Sequence, residues 1–120
     1  VADRASRDYR SAMPWTTLCE KGELAEGQGK YVEIDGFRLA VFLHNGMVFT
    51  MDNACPHAGG SMASGWIDGD CVLCPWHAWA FRLDTGELSG GSGFRIETYA
   101  TRVHTRGDGA ELVQADLPMP

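Results

Sequence analysis

Cys55 and His57 stand in the stretch CPHAGG, and Cys74 and His77 in CPWHAW, with residues 58–73 between the two pairs. Each clip carries one sulfur and one imidazole, donors that proteins use for zinc and for iron-sulfur clusters. Together they suit either one tetrahedral zinc ion or a [2Fe-2S] cluster with cysteines on one iron and histidines on the other. Paired zinc ligands usually stand about two to four residues apart, so that both reach one ion, whereas Cys55-x-His57 has a single residue between. A cluster relaxes that demand, because neighbouring ligands can go to different irons. A structural zinc-binding module is the alternative reading at this point.

Loops that hold such donors need strands to carry them, and the chain supplies strand patterns on both sides. From Tyr31 the period is two: Val32 and Ile34 alternate with Tyr31 and Glu33, and after Asp35-Gly36 the run Phe37, Leu39, Val41, Leu43 continues on one face. Asn45-Gly46 is a second two-residue turn signal, after which Met47, Phe49 and Met51 alternate through a strand that delivers the chain to Cys55. Beyond the first clip, Gly65-Trp66-Ile67 and Asp70 to Cys74 read as short strands about an Asp68-Gly69 turn, and Trp79, Phe81 and Leu83 alternate after the second. Asp84-Thr85-Gly86 closes that piece. The loop SGGSG leads to a last hairpin, Glu97 to Thr105 and Glu111 to Gln114, turning at Gly107-Asp108-Gly109. Helix is confined to a turn near Glu20 to Leu24, so the class is all-β.

A length of 120 residues with 44% hydrophobic content fits one compact domain spanning the chain, and 15 glycines with 22% charged residues favour frequent reversals over long helices. The first dozen residues are polar without a period and read as a flexible arm, with order starting near Trp15. A formal charge of -6 argues against nucleic acid as a partner, which normally calls for a basic stripe. No segment approaches the roughly 18 apolar residues of a membrane helix, so no membrane association is expected. The stretch VADRASRDYRSAMPW carries charges where a secretory signal has its apolar core, so no export signal is read there, and the start at Val1 leaves a removed leader open. Two cysteines outside the clips, Cys19 and Cys71, are too few for a disulfide framework, and a reducing cytoplasm is expected.

The pattern Cys55-x-His57, residues 58–73, Cys74-x-x-His77 resembles the Rieske iron-sulfur motif, and CPHAGG and CPWHAWAF look like its two cluster loops. With the preceding strands and the LDTGE segment, the resemblance runs from about Trp15 to Val113. It implies an antiparallel β-sandwich with a small cluster-binding subdomain of two loops, at about residues 53–88. It also implies one [2Fe-2S] cluster per chain, with Cys55 and Cys74 on the inner iron and His57 and His77 on the outer. Two kinds of Rieske protein are similar: soluble Rieske ferredoxins, which pass single electrons from a flavoprotein reductase to an oxygenase or reductase, and the small subunit of assimilatory nitrite reductases. Both imply an electron-transfer component of an oxidoreductase system that is not catalytic alone. An oxygenase's large subunit adds a mononuclear iron held by two histidines and a carboxylate, and after the cluster only His44 and His104 are left here.

Several positions depart from the high-potential members of that family. Gly60 and Trp76 stand where those proteins place a disulfide across the cluster, and Trp79 and Phe81 where hydroxyls bond its sulfur. Ala78 replaces a usual glycine, and the loop from Ser89 to Gly93 lacks a proline often seen over the cluster. Pro56 and Pro75 follow the two cysteines and hold each in extended backbone. Gly59, Gly60 and the backbone near Ala78 are candidate N–H donors toward sulfur. Cys71 alternates out of phase with Cys74 and reads as a buried thiol on the other face, Cys19 as structural, and His44 and His104 as surface histidines. Arg38, Arg82 and Arg95 read as solvated strand residues or partner contacts.

Overall fold

In the computed structural model, residues 15–55, 60–75, 79–90 and 93–118 are described. They form ten strands: β1 (Trp15–Glu20), β2 (Gly29–Ile34), β3 (Phe37–His44), β4 (Met47–Asp52), β5 (Trp66–Asp68), β6 (Cys71–Leu73), β7 (Ala80–Arg82), β8 (Thr98–Tyr99), β9 (Thr101–Thr105) and β10 (Glu111–Asp116). The only helical pieces among the described residues are two 3-10 turns, Lys21–Glu23 and Met62–Ser64. The all-β expectation holds.

The strands make three antiparallel sheets, ordered β9-β10-β1, β2-β3-β4-β8 and β5-β6-β7. The four-stranded sheet begins as the expected meander. At Asp35-Gly36 and Asn45-Gly46 all four residues have positive φ, as a type I′ hairpin turn requires. The third hairpin differs by one residue from its expected position. Asp68 is still in the ladder opposite Cys71, and the two-residue loop is Gly69-Asp70, with Gly69 taking the positive φ.

Strand β3 is more deeply covered than its alternation predicts, because Leu39, Ala40, Val41 and Phe42 are all buried. Its two faces serve different cores. Val41 packs with Cys19 and Val113, and Leu39 with Ala115 and Leu117, all from or just beyond the β9-β10-β1 sheet. Ala40 and Phe42 face the other way, into a core with Met51, Cys55, Met62, Val72, Cys74 and Phe81. The middle sheet is therefore packed on both sides. One face completes the sandwich and the other supports the small sheet.

The last hairpin also departs from expectation. Thr98 and Tyr99 pair with Met51 and Thr50 on β4, whereas Thr101 to Thr105 pair with β10, so the chain changes sheets at Ala100. The Ala100 carbonyl accepts the Asp116 N–H at 2.9 Å, which pins this corner. Such a corner joins two packed sheets without a separate connection. β1, read only as the onset of order, is a strand whose partner is the distant β10.

Candidate iron-sulfur site

The strand β4 and the bridge between Ala54 and Ser61 bring the chain to Cys55, and β6 brings it to Cys74. The cysteine backbone is held the same way in both places. Cys55 donates its N–H to the Gly60 carbonyl at 2.9 Å, and Cys74 donates its N–H to the Trp79 carbonyl, also at 2.9 Å. Each bond closes a loop from the cysteine to the fifth residue beyond it. His57 and His77 fall within these spans in sequence but lie outside the described residues, as do Pro56, Gly59, Trp76 and Ala78.

The base of the first loop is locked by Asn53, a residue that motif reasoning passed over. Its carbonyl accepts the Met62 N–H at 2.7 Å, and its Oδ1 accepts the Ala63 N–H at 2.9 Å and the Ser61 hydroxyl at 3.2 Å. The available signal was that Asn often bonds nearby backbone at a turn. The second loop is held at its exit, where the Ala80 carbonyl accepts the Ser89 N–H at 2.8 Å.

The two cysteines share one buried core. Cys55 and Cys74, 2% and 0% exposed, belong to one apolar core with Val72, Phe81 and Leu83, and no disulfide joins them. A thiolate buried there is costly unless a metal compensates it, so two on matched loops are a suitable half of a cluster site. Trp79 packs against this core and meets the Phe94 ring edge-on at 5.2 Å. Phe81 is wholly buried in the same core as the cysteines. Among the described residues no three His, Cys, Asp or Glu side chains gather as a metal site, and the two expected imidazoles are outside that set.

The other candidate residues go elsewhere. Cys71 does point away from Cys74, since it pairs across the outer face with Asp68 and Arg82, but it is partly exposed rather than buried. Desolvation nonetheless pushes its thiol pKa up, against the pull of Arg82. Cys19 is buried in the sandwich, and burial chiefly, with Glu23 second, raises its pKa to about 11. His44 is not a surface histidine: its ring is 17% exposed, with Nδ1 3.5 Å from Glu26 and Nε2 3.7 Å from Asp70. It thus lies between the middle and small sheets, whereas His104 is exposed. Arg82 and Arg95 are tied to Asp84 at 2.9 Å and Glu97 at 3.5 Å, pairs worth little at a surface.

Fold and cysteines together make an antiparallel β-sheet protein with two buried thiols at the bases of two matched loops. The profile of the Rieske [2Fe-2S] domain matches residues 14–100, more than half of the chain. The chain belongs to the Rieske [2Fe-2S] domain family, its cofactor is a single [2Fe-2S] cluster, and its role is Rieske electron transfer. It is similar to a ferredoxin of Sphingomonas yanoikuyae B1, with a TM-score of 0.75 and 29% identity over 88% of this chain and 100% of that one. A chain assigned as the small subunit of an NADH-dependent nitrite reductase from Mycobacterium tuberculosis gives 0.76 and 27%, over 88% and 97%. Among curated proteins, a cholesterol 7-desaturase of Hemicentrotus pulcherrimus is 35% identical over 88 residues, 70% of this chain but 19% of that protein. The chain thus spans about a fifth of that relative's length. Among the described residues no helix is long and apolar enough to cross a membrane.

Proposed function

We infer that this chain is a ferredoxin-like component that carries single electrons from a reductase, a flavoprotein in the simplest arrangement, to an oxygenase or reductase in the cytoplasm. The observation that carries the reading is the burial of Cys55 and Cys74 in one core on two identically closed loops. In it, residues 1–120 act as one domain, with residues 53–88 as the cluster-binding part. Cys55 and Cys74 hold the inner iron, and His57 and His77 the outer iron. When bound, the cluster supplies a reversible one-electron change. The chain's own contribution is rigidity and dryness. Hydrogen bonds at Asn53, Cys55 and Cys74 fix the loop bases, and Phe81, Val72 and Leu83 exclude water from the sulfur side. Electrons leave at the histidine edge, and no substrate bond is made or broken by these residues.

The purified protein is expected to be red-brown, with iron and acid-labile sulfide in equal amounts. Zinc at one ion per chain without sulfide would refute it. His57→Ala and Cys74→Ala each abolish the cluster spectrum, whereas Cys71→Ser, on the outer face, leaves it intact. A Cys71→Ser protein that bleaches would overturn the ligand assignment.

A second reading, a fixed subunit of a nitrite reductase-type complex, is supported by the 0.76 TM-score to the Mycobacterium tuberculosis chain. A stoichiometric complex with a large reductase that survives gel filtration favours the subunit over the carrier. The likeness to the longer cholesterol 7-desaturase fits the same domain serving inside a larger oxygenase.

A further inference from the structure

The small sheet has an inner face and an outer face of opposite character. Ile67, Val72 and Phe81 are in register across β5, β6 and β7 and turn into the core that holds Cys55 and Cys74. One step along each strand, Trp66, Leu73 and Ala80 are in register on the outer face. This row is apolar and it is open: Trp66 is 50% exposed, and Leu73 and Ala80 are partly exposed. It is also the ladder row next to the second loop, since Leu73 immediately precedes Cys74 and Ala80 follows Trp79.

The next row outward is charged. Asp68 pairs with Cys71, and Cys71 with Arg82. Asp68, Asp70, Asp84 and Arg82 all act electrostatically on the Cys71 thiol, which stands among them. Three carboxylates against one guanidinium, itself held by Asp84 at 2.9 Å, leave this rim negative by two. An apolar centre with an exposed tryptophan and a charged rim is the composition of a protein-binding surface, where Trp is among the commonest energetic anchors.

We propose that the outer face of β5-β6-β7, with Trp66 as anchor and Asp68, Asp70 and Asp84 as its rim, docks a basic redox protein beside the second cysteine loop. This rests on the electron-transfer reading and deepens it by naming the surface and the charge of the partner. The rim speeds encounter with a cationic surface, and Trp66 holds the complex long enough for transfer. The row adjoins the second loop, whose sequence carries His77, the exit for electrons in that reading.

The test is stopped-flow reduction of cytochrome c, a strongly basic haem protein, by the reduced holoprotein across a salt series. The second-order rate constant falls as salt rises, since exposed charges are screened beyond roughly 8 Å at physiological ionic strength. Trp66→Ala lowers the low-salt rate at least fivefold. Asp68→Lys lowers it and flattens the salt dependence, and both variants keep the wild-type spectrum and midpoint potential. Tyr31→Ala, which removes a ring 45% exposed on β2 of another sheet, stays within twofold of wild type. A Trp66→Ala rate within twofold of wild type, or a wild-type rate indifferent to salt, overturns the proposal. So does a wild-type dimer in sedimentation that Trp66→Ala splits, because the face then belongs to a second copy. A protein without the [2Fe-2S] spectrum fails the electron-transfer reading itself, whereas a competent carrier indifferent to Trp66 loses only this surface.

Discussion

At the scale of a residue, Phe81 offers the sharpest test of how the chain tunes its cluster. It is fully buried in the same core as Cys55 and Cys74, at a position where the family resemblance places a hydroxyl that bonds cluster sulfur in high-potential members. A phenyl ring cannot supply that bond, and Trp79 carries no hydroxyl. Two neutral imidazoles already raise the potential above that of an all-cysteine cluster, so the expected value lies in the lower, negative part of the family's range of roughly -150 to +300 mV. Phe81→Tyr restores the donor. A hydrogen bond that favours the reduced state by about 1 kcal/mol shifts a one-electron potential upward by roughly 40 mV. Voltammetry near neutral pH on both proteins checks this. A wild-type value near the top of the range, or no upward shift in the variant, would show that this position does not govern cluster sulfur.

At the scale of an element, the turn after β7 depends on Gly86. Its φ is +78°, a left-handed conformation that disfavours side chains, and an added methyl would run into the Ile96 carbonyl oxygen. The contact is close because that region is hydrogen-bonded through the glycine: its N–H donates to Arg82 and its carbonyl accepts from Ile96, both at 2.9 Å. Gly86→Ala must therefore move backbone and adopt a strained φ together, at a cost of about 2–4 kcal/mol. The expected result is a melting temperature lower by about 10 °C or more. Gly107→Ala is the control, since that glycine has ordinary φ and open space around its Cα, and it should melt within a few degrees of wild type.

For the whole molecule, the seam between the β9-β10-β1 sheet and the middle sheet contains a titratable group. Cys19 packs there with Val41 and Val113, and its pKa is raised from 9.0 to about 11, mainly by burial. The folded state therefore holds this proton more tightly than the unfolded chain does. Its contribution to stability is fully present below pH 9 and is lost as pH rises from about 9 through 11. Cys19→Ala removes the group. The wild type should lose more melting temperature than Cys19→Ala between pH 8 and pH 11, and equal losses would mean the thiol is not buried against charge as the packing requires. Tyr99, whose pKa is raised by burial and by its 2.7 Å bond to Asp52, contributes in the same direction in both proteins.

The all-β class, the two-residue turns at Asp35-Gly36 and Asn45-Gly46, the Rieske family and the outward phase of Cys71 were all legible in sequence. They rest on local rules: side chains alternate along a strand, type I′ turns need residues that tolerate positive φ, and a family shows in closely spaced motif residues. What lay beyond those rules was settled by contacts distant in the chain. β1 finds β10, the strand beginning at Thr98 changes sheets at Ala100, and β3 is buried on both faces because a sheet lies against each. His44, read as a surface residue, sits between Glu26 and Asp70 for the same reason. A period of two says which face of a strand is apolar; only the packing of sheets decides how many faces are covered, and by which partner.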